Sequence, residues 1–323
     1  MCIYVDDIIL TGTDEKGIQS LKKKMEKEFK ISDLGDLSYF LGMEIAYTQH
    51  GVYVTQERYL KNLLIKFKMD DCRVAPTPME VNHKLSRYGR EEFKDMKLYQ
   101  SLVGSLIYAT LTRPDLSYAV GVLSQFMHCP RKEHWVARQR VLRYIKGTLK
   151  EGLYYGFTSD TNIKIYSDRD WAGNLDDMRS TYGYLCYVGD KLISWCSKKQ
   201  HTIALSSTEA EYKGMVEATK EVIWLKTLMK SFDIIQSTPT IHGDNMSSLY
   251  LAVNLVFHAR TKHIEIQYHF LREKVMDKEI EVIHTSTKDQ IADMLTKILD
   301  GPKLQRFKDM ACIKKLEKTS IDD

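Results

Sequence analysis

The chain opens with two apolar triplets, Ile3-Tyr4-Val5 and Ile8-Ile9-Leu10, separated by Asp6-Asp7, which is the pattern of a β run broken by a polar turn. The period then changes. Ile18, Leu21, Met25 and Phe29 recur at helical spacing and predict an amphipathic helix from Glu15 to Phe29. Residues 35–48 and 51–55 read as a hairpin, with a short helix to follow over 57–68. Ala75-Pro76-Thr77-Pro78 is the clearest linker, since two prolines exclude regular structure there. Helices are predicted over 99–111 and 117–127, with Pro114 suited to the first turn of the second, and over about 133–149.

Around residue 160 the rhythm shifts to short apolar runs. Segments 162–168, 182–188 and 191–196 predict three strands, the last two joined by the tight turn Val188-Gly189-Asp190-Lys191. A long helix over 208–231, a strand at 240–243, further helical segments, a strand at 280–284 and a helix from Gln290 complete an α/β pattern with a mixed sheet, after an α+β amino-terminal half.

That patterning singles out an acid. Met215, Ala218, Val222, Leu225 and Met229 follow Glu211 at helical spacing, so Glu211 heads the apolar stripe of the long helix, where a carboxylate is costly without positive charge beside it. Glu209 has a simpler reading, because Ser206-x-x-Glu209 is a capping box. Asp168 ends the first strand of this half, and Asp244 ends the strand at 240–243. Asp293 lies one turn into the final predicted helix, after the capping pattern Thr287-x-x-Gln290. Taken singly, these three also fit a turn, a helix cap and a helix dipole. Brought together at one end of a sheet, the four acids would concentrate negative charge. Hard oxygen-seeking cations relieve such charge, and two of them about 4 Å apart can hydrolyse a phosphodiester.

Composition narrows the class. The 323 residues are 43% hydrophobic and 28% charged, enough for two domains and ordinary for a folded protein. No apolar run reaches the roughly eighteen residues of a membrane span, and no basic segment precedes the apolar start, so an intracellular protein without a secretion signal is expected. Six scattered cysteines contain no C-x-x-C pair, which argues against a zinc ribbon or a disulfide framework. The net charge of +4 names no partner by itself, but basic residues gather at 22–24, 131–143 and 314–318. Such stretches suit a phosphate backbone, and equally a solvated helix face.

Several segments resemble the Pol polyprotein of copia-type retrotransposons, over essentially the whole chain. In family order they are Tyr166-Ser-Asp168-Arg-Asp-Trp-Ala-Gly173, Ile193-Ser-Trp-Cys-Ser-Lys-Lys-Gln200, Ser206-Ser-Thr-Glu-Ala-Glu211-Tyr, Asp244-Asn245, Phe257-His-Ala-Arg-Thr-Lys-His-Ile-Glu265 and Gln290-Ile-Ala-Asp293-Met-Leu-Thr-Lys297. The resemblance implies an RNase H-like mixed five-stranded sheet with flanking helices, whose metal-binding carboxylates are Asp168, Glu211, Asp244 and Asp293. It further implies two Mg²⁺ or Mn²⁺ ions and endonucleolytic cleavage of the RNA strand of an RNA–DNA hybrid. His284 would assist product release, or serve only as a strand-end histidine. His263 and His269 would pack locally or contact nucleic acid. Arg169, where the family has a small residue, and Leu255, where it has proline, depart from the pattern; Arg169 could alter the electrostatics of the metal site.

The first half resembles reverse transcriptase. Tyr4-Val5-Asp6-Asp7 is similar to the polymerase metal-binding hairpin, and Leu34-Gly-Asp-Leu-Ser-Tyr-Phe-Leu-Gly-Met-Glu-Ile45 and Tyr99-Gln-Ser-Leu-Val-Gly-Ser-Leu-Ile-Tyr108 are also similar to family segments. The resemblance divides the chain into a partial palm over 1–75, a helical thumb and connection region over 76–160, an RNase H domain over 161–300 and a tail over 301–323. With six residues ahead of Asp7, the polymerase portion is expected to be truncated and not to polymerise alone. Full-length Pol or an integrase would be further partners, in a cytoplasmic particle or the nucleus. The alternatives are an inert retroelement relic or nucleic-acid-binding module, and a strand transferase, which the Ala-Glu-Tyr and Ala-Asp-x-x-Thr-Lys motifs disfavour.

Overall fold

The structure, a computed structural model, describes residues 1–81, 85–89, 91–171, 173–200, 202–204, 206–253 and 265–316. Strands β1 (Cys2–Tyr4) and β2 (Asp7–Ile9) form an antiparallel hairpin, with Val5 at a left-handed φ of 49° in its turn. Helix α1 (Glu15–Glu28) is capped by Asp14, whose carboxylate accepts from the Gly17 amide at 2.9 Å, and buries none of its residues.

A five-stranded antiparallel sheet follows, in the order β12-β6-β5-β4-β3. It contains β3 (Tyr39–Phe40), β4 (Met43–Thr48), β5 (Gly51–Thr55), β6 (Glu151–Gly156) and β12 (Ile313–Lys315). Only the β4–β5 hairpin was predicted. β6 is a short strand carrying two glycines, and β12 holds two lysines in three residues; both depend on partners far away in the chain, which local pattern does not register.

Helices α2 (Glu57–Lys66), α3 (Met96–Ala109), α4 (Ser117–Ser124) and α5 (Lys132–Gly147) build the larger core. Pro114 opens a 3-10 turn over Pro114–Leu116 and does not begin α4 itself. Arg113 and Asp115, both fully buried, pair at 2.6 Å, and the Tyr144 hydroxyl donates to Asp115 at 2.7 Å. Such a pair is tolerated in a core because each charge keeps a partner and further hydrogen bonds.

The second sheet is mixed, in the order β11-β10-β7-β8-β9. Strands β7 (Ile163–Asp170), β8 (Thr181–Val188) and β9 (Lys191–Lys199) run antiparallel, while β10 (Thr240–Gly243) and β11 (Glu281–His284) lie parallel to β7. This is the five-stranded mixed sheet with flanking helices that the resemblance implied. Period-2 alternation assigns its faces. Ile163, Ile165 and Cys186 pack under helix α6 (Ser207–Lys230), together with α7 (Met246–Val253) and α8 (Glu265–Met276). Leu185, Tyr187 and Leu192 face the other way, into the larger core.

Two predicted features change near the carboxyl end. The helix from Gln290 is a 3-10 turn over Ile291–Leu295, capped by Gln290, whose side chain accepts from the Ala292 amide at 3.4 Å. Thr287 takes no part in that cap. Beyond 300, where a tail was expected, helix α9 (Gly301–Met310) buries Leu304 and Phe307 in the larger core and β12 adds Ile313. A proline in its first turn and Asp300 as N-cap, accepting from the Lys303 amide at 2.8 Å, start this helix.

Candidate metal centre

Three segments far apart in sequence meet at one end of the mixed sheet. Asp168 lies on β7 opposite Gly183 of β8, and is 1% exposed. Glu211 stands just past the first turn of α6. Ser206 caps that helix by accepting from the Glu209 amide at 3.1 Å, and the Glu209 carboxylate pairs with Lys213 at 2.7 Å. Glu209 thus supplies the amide that Ser206 caps and pairs within the helix, while Glu211 lies close to Asp168. Asp244 follows β10. Asn245 supplies the helix cap, accepting from the Ser248 amide at 3.0 Å, which leaves the Asp244 carboxylate to accept from the Thr287 hydroxyl at 3.0 Å.

One oxygen from each of Asp168, Glu211 and Asp244 lies within 4.8 Å of the others. Ligand oxygens around an octahedral Mg²⁺ at about 2.1 Å stand roughly 3.0 Å apart when adjacent and roughly 4.2 Å apart when opposite, so the three acids would hold one hard cation after closing inward. The electrostatics point the same way. Burial, with the Asp168 and Asp244 charges added, pushes the Glu211 carboxyl up to about 9. Burial also pushes Asp168 up to about 6, against the lowering effect of the Lys297 ammonium and with further repulsion from Asp293. Carboxyls this reluctant to ionise have too little positive charge around them.

Asp293 lies beside the triad without joining it. It is 1% exposed and held by two lysines: Lys297 Nζ at 2.7 Å from Oδ1, and Lys303 Nζ at 2.7 Å from Oδ2. Lys297 also reaches Asp168, at 3.3 Å, and the Thr296 hydroxyl donates to the same carboxylate. Burial disfavours charge on Lys297, but the Asp168 and Asp293 carboxylates hold its ammonium above the ordinary lysine range.

Arg169 points at α6 and donates to the Ala210 carbonyl; burial pulls its guanidinium down to about 10, partly offset by Glu211 and Glu209. His284 is exposed at the end of β11, in register with Gly243 and thus one residue from Asp244 across the sheet. Asp6 and Asp7 lie at the exposed turn of the β1–β2 hairpin, and among the described residues no third metal-ligating side chain clusters with them. His269 is exposed, while His263 and Leu255 fall outside the described residues.

Sequence reasoning missed Thr296, Lys297 and Thr287 as parts of the site. Spacing carried a signal for one of them: Lys297 follows Asp293 by four residues, the interval at which side chains meet on one helical face.

Residues 1–81 match the reverse transcriptase (RNA-dependent DNA polymerase) family. The Retrovirus-related Pol polyprotein from transposon RE1 of Arabidopsis thaliana is 42% identical over 308 residues, 95% of this chain and 21% of that protein. Its counterpart from transposon TNT 1-94 of Nicotiana tabacum is 40% identical over 319 residues, 96% of this chain and 24% of that protein. The chain thus spans about a fifth to a quarter of the length of these relatives. Among solved structures, the N-terminal RNase H domain of rv2228c from Mycobacterium tuberculosis aligns with 47% of this chain and 99% of that one, at 11% identity and a TM-score of 0.32. Among the described residues no helix is long and apolar enough to cross a membrane.

Proposed function

Because the chain belongs to the copia-type retrotransposon Pol family, we propose that its mixed-sheet portion, residues 161–300, is a ribonuclease H that hydrolyses the RNA strand of RNA–DNA hybrids. The observation that carries this reading is the meeting of Asp168, Glu211 and Asp244 within 4.8 Å, from three segments far apart in the chain.

Asp168, Glu211 and Asp244 would hold one Mg²⁺ or Mn²⁺ ion, and Asp168 with Asp293 would hold a second. Such ions supply an activated water and a stabilised leaving oxygen for phosphodiester hydrolysis. The chain's own residues fix the ligands. The Thr296 hydroxyl orients Asp168, Thr287 orients Asp244, and the amino-terminal part of α6 carries Glu211 to the other two acids. Hydrogen bonds of this outer kind preserve ligand geometry before an ion arrives. His284, exposed beside Asp244, is suited to helping the cut strand leave, and a hybrid would be recognised by shape, through phosphate and 2′-OH contacts. Asp6 and Asp7 would serve the polymerase activity of a longer Pol, with which this chain would associate.

The test is cleavage of a labelled hybrid with Mg²⁺ or Mn²⁺. Asp168→Asn should reduce the rate by more than about 100-fold, beyond what the loss of an outer-shell partner costs. An intact hybrid in the presence of both metals would reject the enzymatic reading. Hybrid binding insensitive to chelator, without turnover, would favour a binding module.

A further inference from the structure

The cation that the site already contains is a lysine. Lys297 Nζ stands 3.3 Å from both carboxylate oxygens of Asp168 and 2.7 Å from Oδ1 of Asp293, while Lys303 holds the other Asp293 oxygen at 2.7 Å. An ion bridging Asp168 and Asp293 would need to approach an oxygen of each to about 2.1 Å, which is the volume the ammonium fills. On the other side of Asp168 the situation is reversed. Among the described residues neither Glu211 nor Asp244 makes an ion pair, although both share the triad with Asp168.

We propose that Lys297 is a built-in counter-cation of the second metal position, so that the first ion binds in the Asp168–Glu211–Asp244 triad, which shares only Asp168 with the lysine, and the second binds only by displacing Lys297. This rests on the metal-dependent nuclease reading above and deepens it. The side chain is 36% exposed, so its ammonium can swing into water without unfolding the turn that carries it. Two like-signed ions cannot occupy one gap between two carboxylates, because the repulsion of a divalent ion and an ammonium at such distance exceeds the gain from either carboxylate. The two metal positions are therefore unequal and fill in order. Until the second ion arrives, Lys297 keeps Asp168 and Asp293 from repelling each other.

The experiment is a titration of the full chain with Mn²⁺, followed by calorimetry and by the paramagnetic signal of free Mn²⁺, for the native protein, Lys297→Met and Lys297→Arg. The native chain should bind one ion tightly and a second at least about 10-fold more weakly, the range over which outer-shell groups tune metal sites. In Lys297→Met the second site should tighten about 10-fold while the first is unchanged, and Lys297→Arg should keep the native pattern. A purely structural lysine would instead weaken both sites together. Melting in EDTA covers the chance that the variant folds poorly: Lys297→Met should melt below the native chain in EDTA and regain more of its stability from Mn²⁺. Two equivalent ions bound alike by the native chain and Lys297→Met would overturn the inference and leave the nuclease reading standing. Absence of Mn²⁺ binding in every protein, with no hybrid cleavage, would overturn both.

Discussion

At the residue scale the site is defined by what its carboxylates lack. Asp168 and Glu211 have values raised to about 6 and about 9 in the folded chain, against about 4 for unfolded carboxyls. A raised carboxyl stabilises the fold below its unfolded value and loses that contribution as pH climbs through its folded value. The metal-free protein should therefore lose stability between about pH 5 and pH 9, opposite in direction to a protein whose acids are salt-bridged. Melting in EDTA at pH 5.5 and 8.5 checks this: the midpoint should be lower at pH 8.5, and Mg²⁺ should raise it more there than at pH 5.5. Equal midpoints in EDTA would mean that the triad is already compensated. The prominence of Glu211 was legible because its position on the stripe conflicts with its charge. The pairing of Lys297 with two acids at once was not, because only one of them, Asp293, is its neighbour in the chain.

At the element scale, the 3-10 turn over Ile291–Leu295 carries Asp293 and leads into Thr296 and Lys297, and a glycine allows it to sit close against the sheet. A Cβ at Gly183 would stand 2.5 Å from Leu295 Cβ and 3.0 Å from Thr296 Cγ2. Gly183→Ala should push this turn, with Thr296 and Lys297 just beyond it, away from Asp168. The expected cost is about 1–3 kcal/mol of stability by denaturant unfolding, the range for overpacking, together with a larger loss of hybrid cleavage. Native values for both would show that the turn can shift without harm. Elements with strong internal periodicity, α6 and β7 to β9, were legible within a few residues. β6 and β12 were not, since each is stabilised chiefly by pairing across the chain, and the turn at 291–295 was read as an α-helix because capping residues alone do not fix the helix type.

At the scale of the whole molecule, the mixed sheet is not covered by its own segment alone. Leu185 and Leu192, both 0% exposed, lie in the same cluster as Leu102 and Leu106 of α3, Leu142 of α5 and Phe307 of α9. We propose that the boundary at residue 300 marks a unit of chemistry, with stability drawn from both sides of it. A fragment of residues 161–300 would expose that apolar face and should melt well below the intact chain or associate in ultracentrifugation. A monomeric fragment as stable as the whole chain would show that the shared core adds little.

The pattern of the sequence alone determined where the strands and the long helix lie and which acid was out of place, because periodicity and charge are local properties. Only the tertiary structure decided that three of the four acids converge, that the fourth is held by Lys297 and Lys303, and that helices α3 to α5 and the carboxyl-terminal segment close the sheet. The convergence and the closure depend on contacts between segments tens of positions or more apart, of which spacing along a chain carries no record. The two lysine contacts are local, but spacing alone does not tell which of the side chains in reach will pair.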